Sequence, residues 1–136
     1  MKKLLIPSIF FVLLISFSFA QKPYKVVFYN LENFFDTIND PEVLDDEFTP
    51  DGPKKWNTAK YNKKLNNTER VLFDIAAIDK NYPIVIGVSE VETRGVLEDI
   101  VATPKLAPAN YRIAHFDSPE ARGVDVAFLY RPDVFK

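Results

Sequence analysis

The residue best placed for chemistry in this sequence is a carboxylate at the end of an apolar run. Ile84-Val85-Ile86-Gly87-Val88-Ser89 leads directly into Glu90. Where strands and helices alternate, ligands meet the carboxyl ends of the strands. A carboxylate there suits Mg²⁺, a hard cation that takes one or two protein oxygens and completes its shell with water and phosphate. The plainer reading is that Glu90 caps the helix beginning near Thr93 or faces solvent. Asn30 holds the equivalent place at the end of Lys25–Asn30. Glu92, two residues further into the loop, is the weaker ligand.

Other titratable residues carry less. His115 is the only histidine, and Asp117 is the only carboxylate near it in sequence. Asp125 is a single charge inside the apolar run Val124–Tyr130. It costs free energy there unless it is paired, functional or turned to an edge. The acidic stretch with Asp36, Asp40, Glu42, Asp45, Asp46 and Glu47 could hold Ca²⁺, but it lacks the D-x-[DN]-x-[DN]-G spacing, which favours a solvated loop. Asn66-Asn67-Thr68 fits a glycosylation acceptor but falls inside a helical pattern.

The elements that must position these residues follow from periodicity. Lys25–Asn30 reads as a buried strand, and Leu31–Trp56, rich in acids and carrying Pro41, Pro50 and Pro53, as a long loop. Thr58 can cap a helix running to about Asp79. Tyr61, Leu65, Thr68, Leu72, Ile75 and Ala76 form one stripe along it. Ile84–Val88 is a second strand, and a strand–helix–strand unit normally sets its strands parallel. Thr93–Val101 predicts a short helix burying Val96, Leu97 and Ile100. Tyr111–Phe116 and Val124–Tyr130 predict two more strands. The class is α/β.

Composition narrows the partners. The 136 residues suffice for one domain, and the lack of cysteine excludes disulfides and Cys-based metal sites. With 47% hydrophobic residues the chain is not disordered, and a charge of −2 gives no general basic field for nucleic acid. Residues 1–20 read as a signal peptide. Lys2 and Lys3 precede an uncharged stretch from Leu4 to Phe19, and Ser18 and Ala20 are small at the −3 and −1 positions. No cysteine follows for a lipid anchor. The expected mature chain, residues 21–136, carries 15 basic and 19 acidic residues, a charge of −4. It is expected in the periplasm or outside the cell, without a membrane anchor.

Three segments together resemble the endonuclease/exonuclease/phosphatase superfamily, the deoxyribonuclease I-like fold. Val26-Val27-Phe28-Tyr29-Asn30-Leu31-Glu32-Asn33-Phe34-Phe35-Asp36 resembles its opening strand. Ile86-Gly87-Val88-Ser89-Glu90-Val91-Glu92 resembles the strand ending in a metal-binding Glu, and Arg122–Arg131 the next core strand. Asp45-Asp46-Glu47-Phe48-Thr49-Pro50 followed by Trp56 is similar to the exported bacterial branch. The likeness covers residues 24–136. It implies that Glu90 binds Mg²⁺, with Mn²⁺ or Ca²⁺ as alternatives, and that Asn30 hydrogen-bonds near the metal and the scissile phosphate. It further implies that Arg122 binds substrate phosphate and that Asp125 serves near the phosphate or the catalytic base. The reaction would be phosphodiester or phosphomonoester hydrolysis, on DNA, RNA, a lipid or an inositol phosphate.

The same family carries an Asp-x-Asn pair and a terminal Asp-His segment after these strands. Here the only Asp-x-Asn, Asp79-Lys80-Asn81, precedes Glu90, and His115 comes too early. The expectation is therefore the N-terminal part of an α/β/β/α sandwich, about one mixed sheet with its helices. It would be inactive by itself and would need a C-terminal half as partner. Val26, Phe28, Val85, Val126 and Phe128, or their alternates, would then line an uncovered face. A non-catalytic exported binding module of the same fold is the alternative.

Overall fold

The structure, a computed structural model, describes residues 23–135. The predicted signal peptide, residues 1–20, lies outside the described residues.

Four strands form one mixed sheet: β1 (Val26–Phe34), β2 (Val85–Val91), β3 (Arg112–His115) and β4 (Asp125–Tyr130), in spatial order β1-β2-β4-β3. β1 and β2 are parallel, joined through helix α1 (Thr58–Ala77), as the strand–helix–strand pattern predicts. β4 runs antiparallel to both β2 and β3. Helix α2 (Arg94–Ala102) follows β2, and short 3₁₀ turns occur at Asp46–Phe48 and Ala107–Ala109.

Local chemistry explains the helix starts. Asn57 rather than Thr58 caps α1, its Oδ1 accepting from Lys60 N at 3.1 Å. An amide oxygen in that position satisfies one of the free N–H groups of the first turn. Thr93 does the same for α2 through Val96 N, so Glu90 is not the cap. α2 buries Val96, Leu97 and Ile100 as expected, and α1 buries Thr68, Leu72 and Ala76 of its predicted stripe. The glycosylation-like triplet lies within α1, with Thr68 buried.

Both helices cover one face of the sheet. Leu31, Phe34, Ile86, Val88, Val91, Ala127 and Leu129 from the strands pack there with Leu72, Val96, Leu97 and Ile100. The opposite face is open. Val26, Phe28, Val126 and Phe128 are 67%, 69%, 61% and 53% exposed, and Val85 is half-buried. These residues follow the period-2 alternation of strands whose other face is core. Gly87 sits between two of the aromatics, paired with Phe28 on one side and Phe128 on the other. A Cβ at Gly87 would stand 2.6 Å from Phe28 Cδ2, so the ring lies directly across the glycine.

Candidate metal and phosphate site

β1 and β2 both run further than periodicity predicts, because each contains an irregularity that hides its last residues. The pairing Asn30↔Ser89 is followed by Phe34↔Val91, which leaves three residues of β1 opposite one of β2. Glu90 is that one. Its φ is +58°, and Glu32 and Asn33 opposite it stand at +56° and +60°. Left-handed backbone at non-glycine residues costs on the order of 1 kcal/mol or more each and persists only where the surroundings impose it.

The surroundings here are hydrogen bonds. Asn30 Oδ1 accepts from Glu32 N at 2.6 Å, and Lys64 Nζ donates to Glu32 O at 2.7 Å. Asn33 N donates to Glu90 Oε2 and Asn30 Nδ2 donates to Glu90 Oε1, both at 3.0 Å. Because Asn30 Oδ1 is fixed by a main-chain donor, the amide orientation follows from the network. The bulge thus turns Glu90 toward β1, and both its oxygens are aimed. Arg122 reaches the same loop: Nη1 donates to Asn33 Oδ1 at 3.1 Å while Nε pairs with Glu120 Oε1 at 3.0 Å. Asn30, Glu90 and Arg122 are therefore gathered at one end of the sheet. Asn33 and Lys64 hold them there through contacts that depend on the bulge and on helix placement rather than on spacing. A pair of polar residues directly after a strand was the available signal for Asn33.

Asp125 is placed differently. β4 is an interior strand, so the edge-facing explanation fails. The carboxylate points to the core side, accepting from Ser118 N at 2.7 Å and lying 2.8 Å from His115 Nε2. The two side chains are 4% and 5% exposed. Sequence proximity had offered His115 only Asp117. The true partner comes from the antiparallel register His115↔Ala127, which sets residues 115 and 125 diagonally on one face. Potential ligand atoms of His115, Asp117 and Asp125 lie within 4.8 Å of one another, the one such group of three among the described residues.

Among the described residues the acidic loop brings no three carboxylates together as a ligand set. Asp36 and Asp40 accept from Ile38 N and Glu42 N, closing their own turns. Glu92 is buried against this loop, and its carboxyl is pushed up to about 8. Burial is the main cause. Nearby Asp36 and Asp45 add to it, and the Asp36 N–H bond at 2.6 Å opposes it. Asp45 is 1% exposed, and its Oδ1 has no partner among the described residues. The neighbouring Asp45 carboxylate favours the protonated form of Glu92. A carboxyl that keeps its proton is a poor cation ligand, so Glu90 stands out from its neighbour.

The family model described as Endonuclease/Exonuclease/phosphatase family matches residues 25–136. The chain belongs to that family. It is accordingly a hydrolase domain of a metal-dependent family, and its mixed sheet with two helices agrees with part of that family's α/β sandwich. No curated protein and no solved structure matches this chain.

Proposed function

We propose that this chain is the metal-holding, N-terminal part of an exported Mg²⁺-dependent phosphoesterase that hydrolyses phosphodiester or phosphomonoester bonds. The observation that carries the reading is the Asn30–Glu90 contact at the carboxyl ends of two parallel strands. The donor set fits a hard cation. Glu90 presents two carboxylate oxygens, each accepting one hydrogen bond and each with a lone pair left over. Mn²⁺ and Ca²⁺ take the same oxygens. A bound divalent ion would supply charge neutralisation for the phosphate oxygens.

The chain's own residues do the rest of the positioning. Asn30 and the Asn33 N–H hold the Glu90 carboxylate in one orientation. Arg122 has guanidinium N–H groups beyond those given to Asn33 and Glu120, and a phosphate is their natural acceptor. Asp125 fixes the ring of His115, so its role is to position that imidazole. Hydrolysis by this chain alone is not expected, because no Asp-x-Asn pair follows Glu90 and the only histidine is His115; the open face bearing Phe28 and Phe128 is apolar and lies beside the site. A second sheet from a C-terminal half is the partner that face fits.

Residues 1–20 support export by their sequence pattern, and no helix among the described residues is long and apolar enough to cross a membrane. The test is expression of the full reading frame and Mg²⁺-dependent assays on DNA, sphingomyelin and a phosphomonoester. Glu90→Ala and Glu90→Gln should both abolish whichever turnover appears. Retained turnover in either would dismiss the metal role, and no turnover on any substrate would favour the binding-module alternative.

A further inference from the structure

Next to Asn30 is a concavity of about 420 Å³, lined by Asn30, Glu32, Trp56, Lys60, Lys63 and Lys64 among others. The three lysines come from the first half of α1. Their i, i+3, i+4 spacing puts them on one helical face. Had they only been the wet side of the helix, all three ammonium groups would stand in water. Lys64 does not. Burial lowers its affinity for a proton, while the charges of Glu32 and Glu90 pull it back up. Its Nζ stands 5.5 Å from the ring centre of Phe34 and 5.8 Å from that of Trp56.

No close ion pair neutralises this cluster, although Glu32 also lines the hollow and Glu32 and Glu90 both act on Lys64. Among the described residues no carboxylate lies within 4.0 Å of Lys60, Lys63 or Lys64. Lys60 donates to Lys54 O at 2.6 Å and Lys64 to Glu32 O at 2.7 Å. These carbonyls orient the ammonium groups without neutralising them. Three lysines against one carboxylate, Glu32, thus line one hollow in a protein whose net charge is −2. The hollow shares Asn30 with the site built around Glu90. In a partly desolvated cleft such a field draws an anion.

We propose that this concavity is a second anion subsite, taking a phosphate of the substrate other than the one that is hydrolysed. The inference rests on the hydrolytic reading above and deepens it by naming a substrate class. The substrate carries at least two phosphates, so a lipid with a single phosphate bearing a choline group is disfavoured. The second phosphate is either the next internucleotide phosphate of a polynucleotide or another phosphate on a polyol ring. Asn67 also lines the hollow and could donate to it.

The protein carries its own reporter, because Trp56 is the sole tryptophan and it lines the hollow. Trp56 emission of the full chain is titrated in EDTA, so that hydrolysis cannot interfere, with oligothymidylate, with inositol hexakisphosphate and with sphingomyelin vesicles. Saturable change is expected with one or both polyanions and none with the vesicles. A response to the oligonucleotide alone identifies the internucleotide source, and one to the inositol phosphate alone the polyol source. Lys60→Ala and Lys63→Ala should each weaken binding several-fold and lower the salt slope by about 1, while Lys105→Ala, outside the hollow, should not. No saturable change with either polyanion, or binding indifferent to Lys60 and Lys63, overturns the proposal. Glu90→Gln, which can still accept a hydrogen bond from Asn30 or Asn33, keeps this titration while losing turnover, so the subsite and the hydrolytic reading fail separately.

Discussion

Asn30 Nδ2 and Glu90 Oε1 lie 3.0 Å apart across two parallel strands, at the point where both strands leave their regular pairing. The contact fixes one oxygen of the carboxylate, and Asn33 N fixes the other. Partners of this kind, which aim a ligand without touching the ion, are typically worth 10–100-fold in metal affinity or activity. Asn30→Ala should therefore weaken Mg²⁺ binding by about 10- to 100-fold while leaving the far-UV circular dichroism unchanged. Calorimetric titration of Mg²⁺ checks this, and an unchanged affinity would separate Asn30 from the metal.

How much of this was legible beforehand depends on the range of the interaction. Asn30, Glu90 and the parallel β1–β2 pair follow from apolar runs that each end in a polar residue, which is local information. The bulge at Glu90 does not, since three consecutive non-glycine residues give no sign that two of them and their partner take left-handed backbone. For the same reason periodicity ends β1 at Asn30, four residues before Phe34. The His115–Asp125 pair and the position of Lys64 against Phe34 and Trp56 depend on strand register and helix placement, both set by tertiary packing. The open apolar face was foreseeable, because Val26, Phe28, Val126 and Phe128 alternate with buried residues that already fill one core.

That open face sets the solution behaviour of residues 21–136. At about 25 cal/mol per Å², several hundred Å² of apolar surface left in water forgoes on the order of 10 kcal/mol. This is comparable to a domain's whole net stability. The chain by itself should be marginal or aggregating. Phe28→Glu combined with Phe128→Glu should raise its soluble, monomeric fraction without loss of secondary structure, because neither ring belongs to the core. Size-exclusion chromatography reads the outcome. A cooperative monomeric melt of the unmodified chain above about 50 °C would contradict it.

Glu92 makes stability depend on pH in a defined direction. Folded, its carboxyl titrates at about 8; unfolded, at the ordinary 4.5. Between these values the folded state holds a proton that the unfolded state has released. Stability therefore falls as pH rises through that window and levels off above about 8. Each pKa unit is worth about 1.36 kcal/mol. With allowance for water reaching the loop, a loss of about 2 kcal/mol from pH 5 to pH 8.5 is expected. Glu92→Gln keeps a donor for Asp45 and should flatten the curve. Urea unfolding across the pH range measures both, and equal slopes for the two proteins would refute the assignment.

His115 and Asp125 supply the last prediction. Both side chains are almost wholly buried, and each is the other's polar partner. Removing His115 leaves Asp125 Oδ2 desolvated and unpaired while Oδ1 keeps its bond from Ser118 N, a penalty of about 1–3 kcal/mol, and more for a charge. His115→Ala should lower stability by about 2–4 kcal/mol, because it adds a cavity and strands a buried carboxylate. Asp125→Asn should cost only about 1 kcal/mol. The amide can still accept from Ser118 N through its oxygen and offer an N–H to the imidazole, provided the ring presents an unprotonated nitrogen. The ordering of the two variants is the sharper part. If Asp125→Asn were the more damaging in chemical denaturation, the carboxylate's charge, and not its hydrogen bonds, would be what holds β3 against β4.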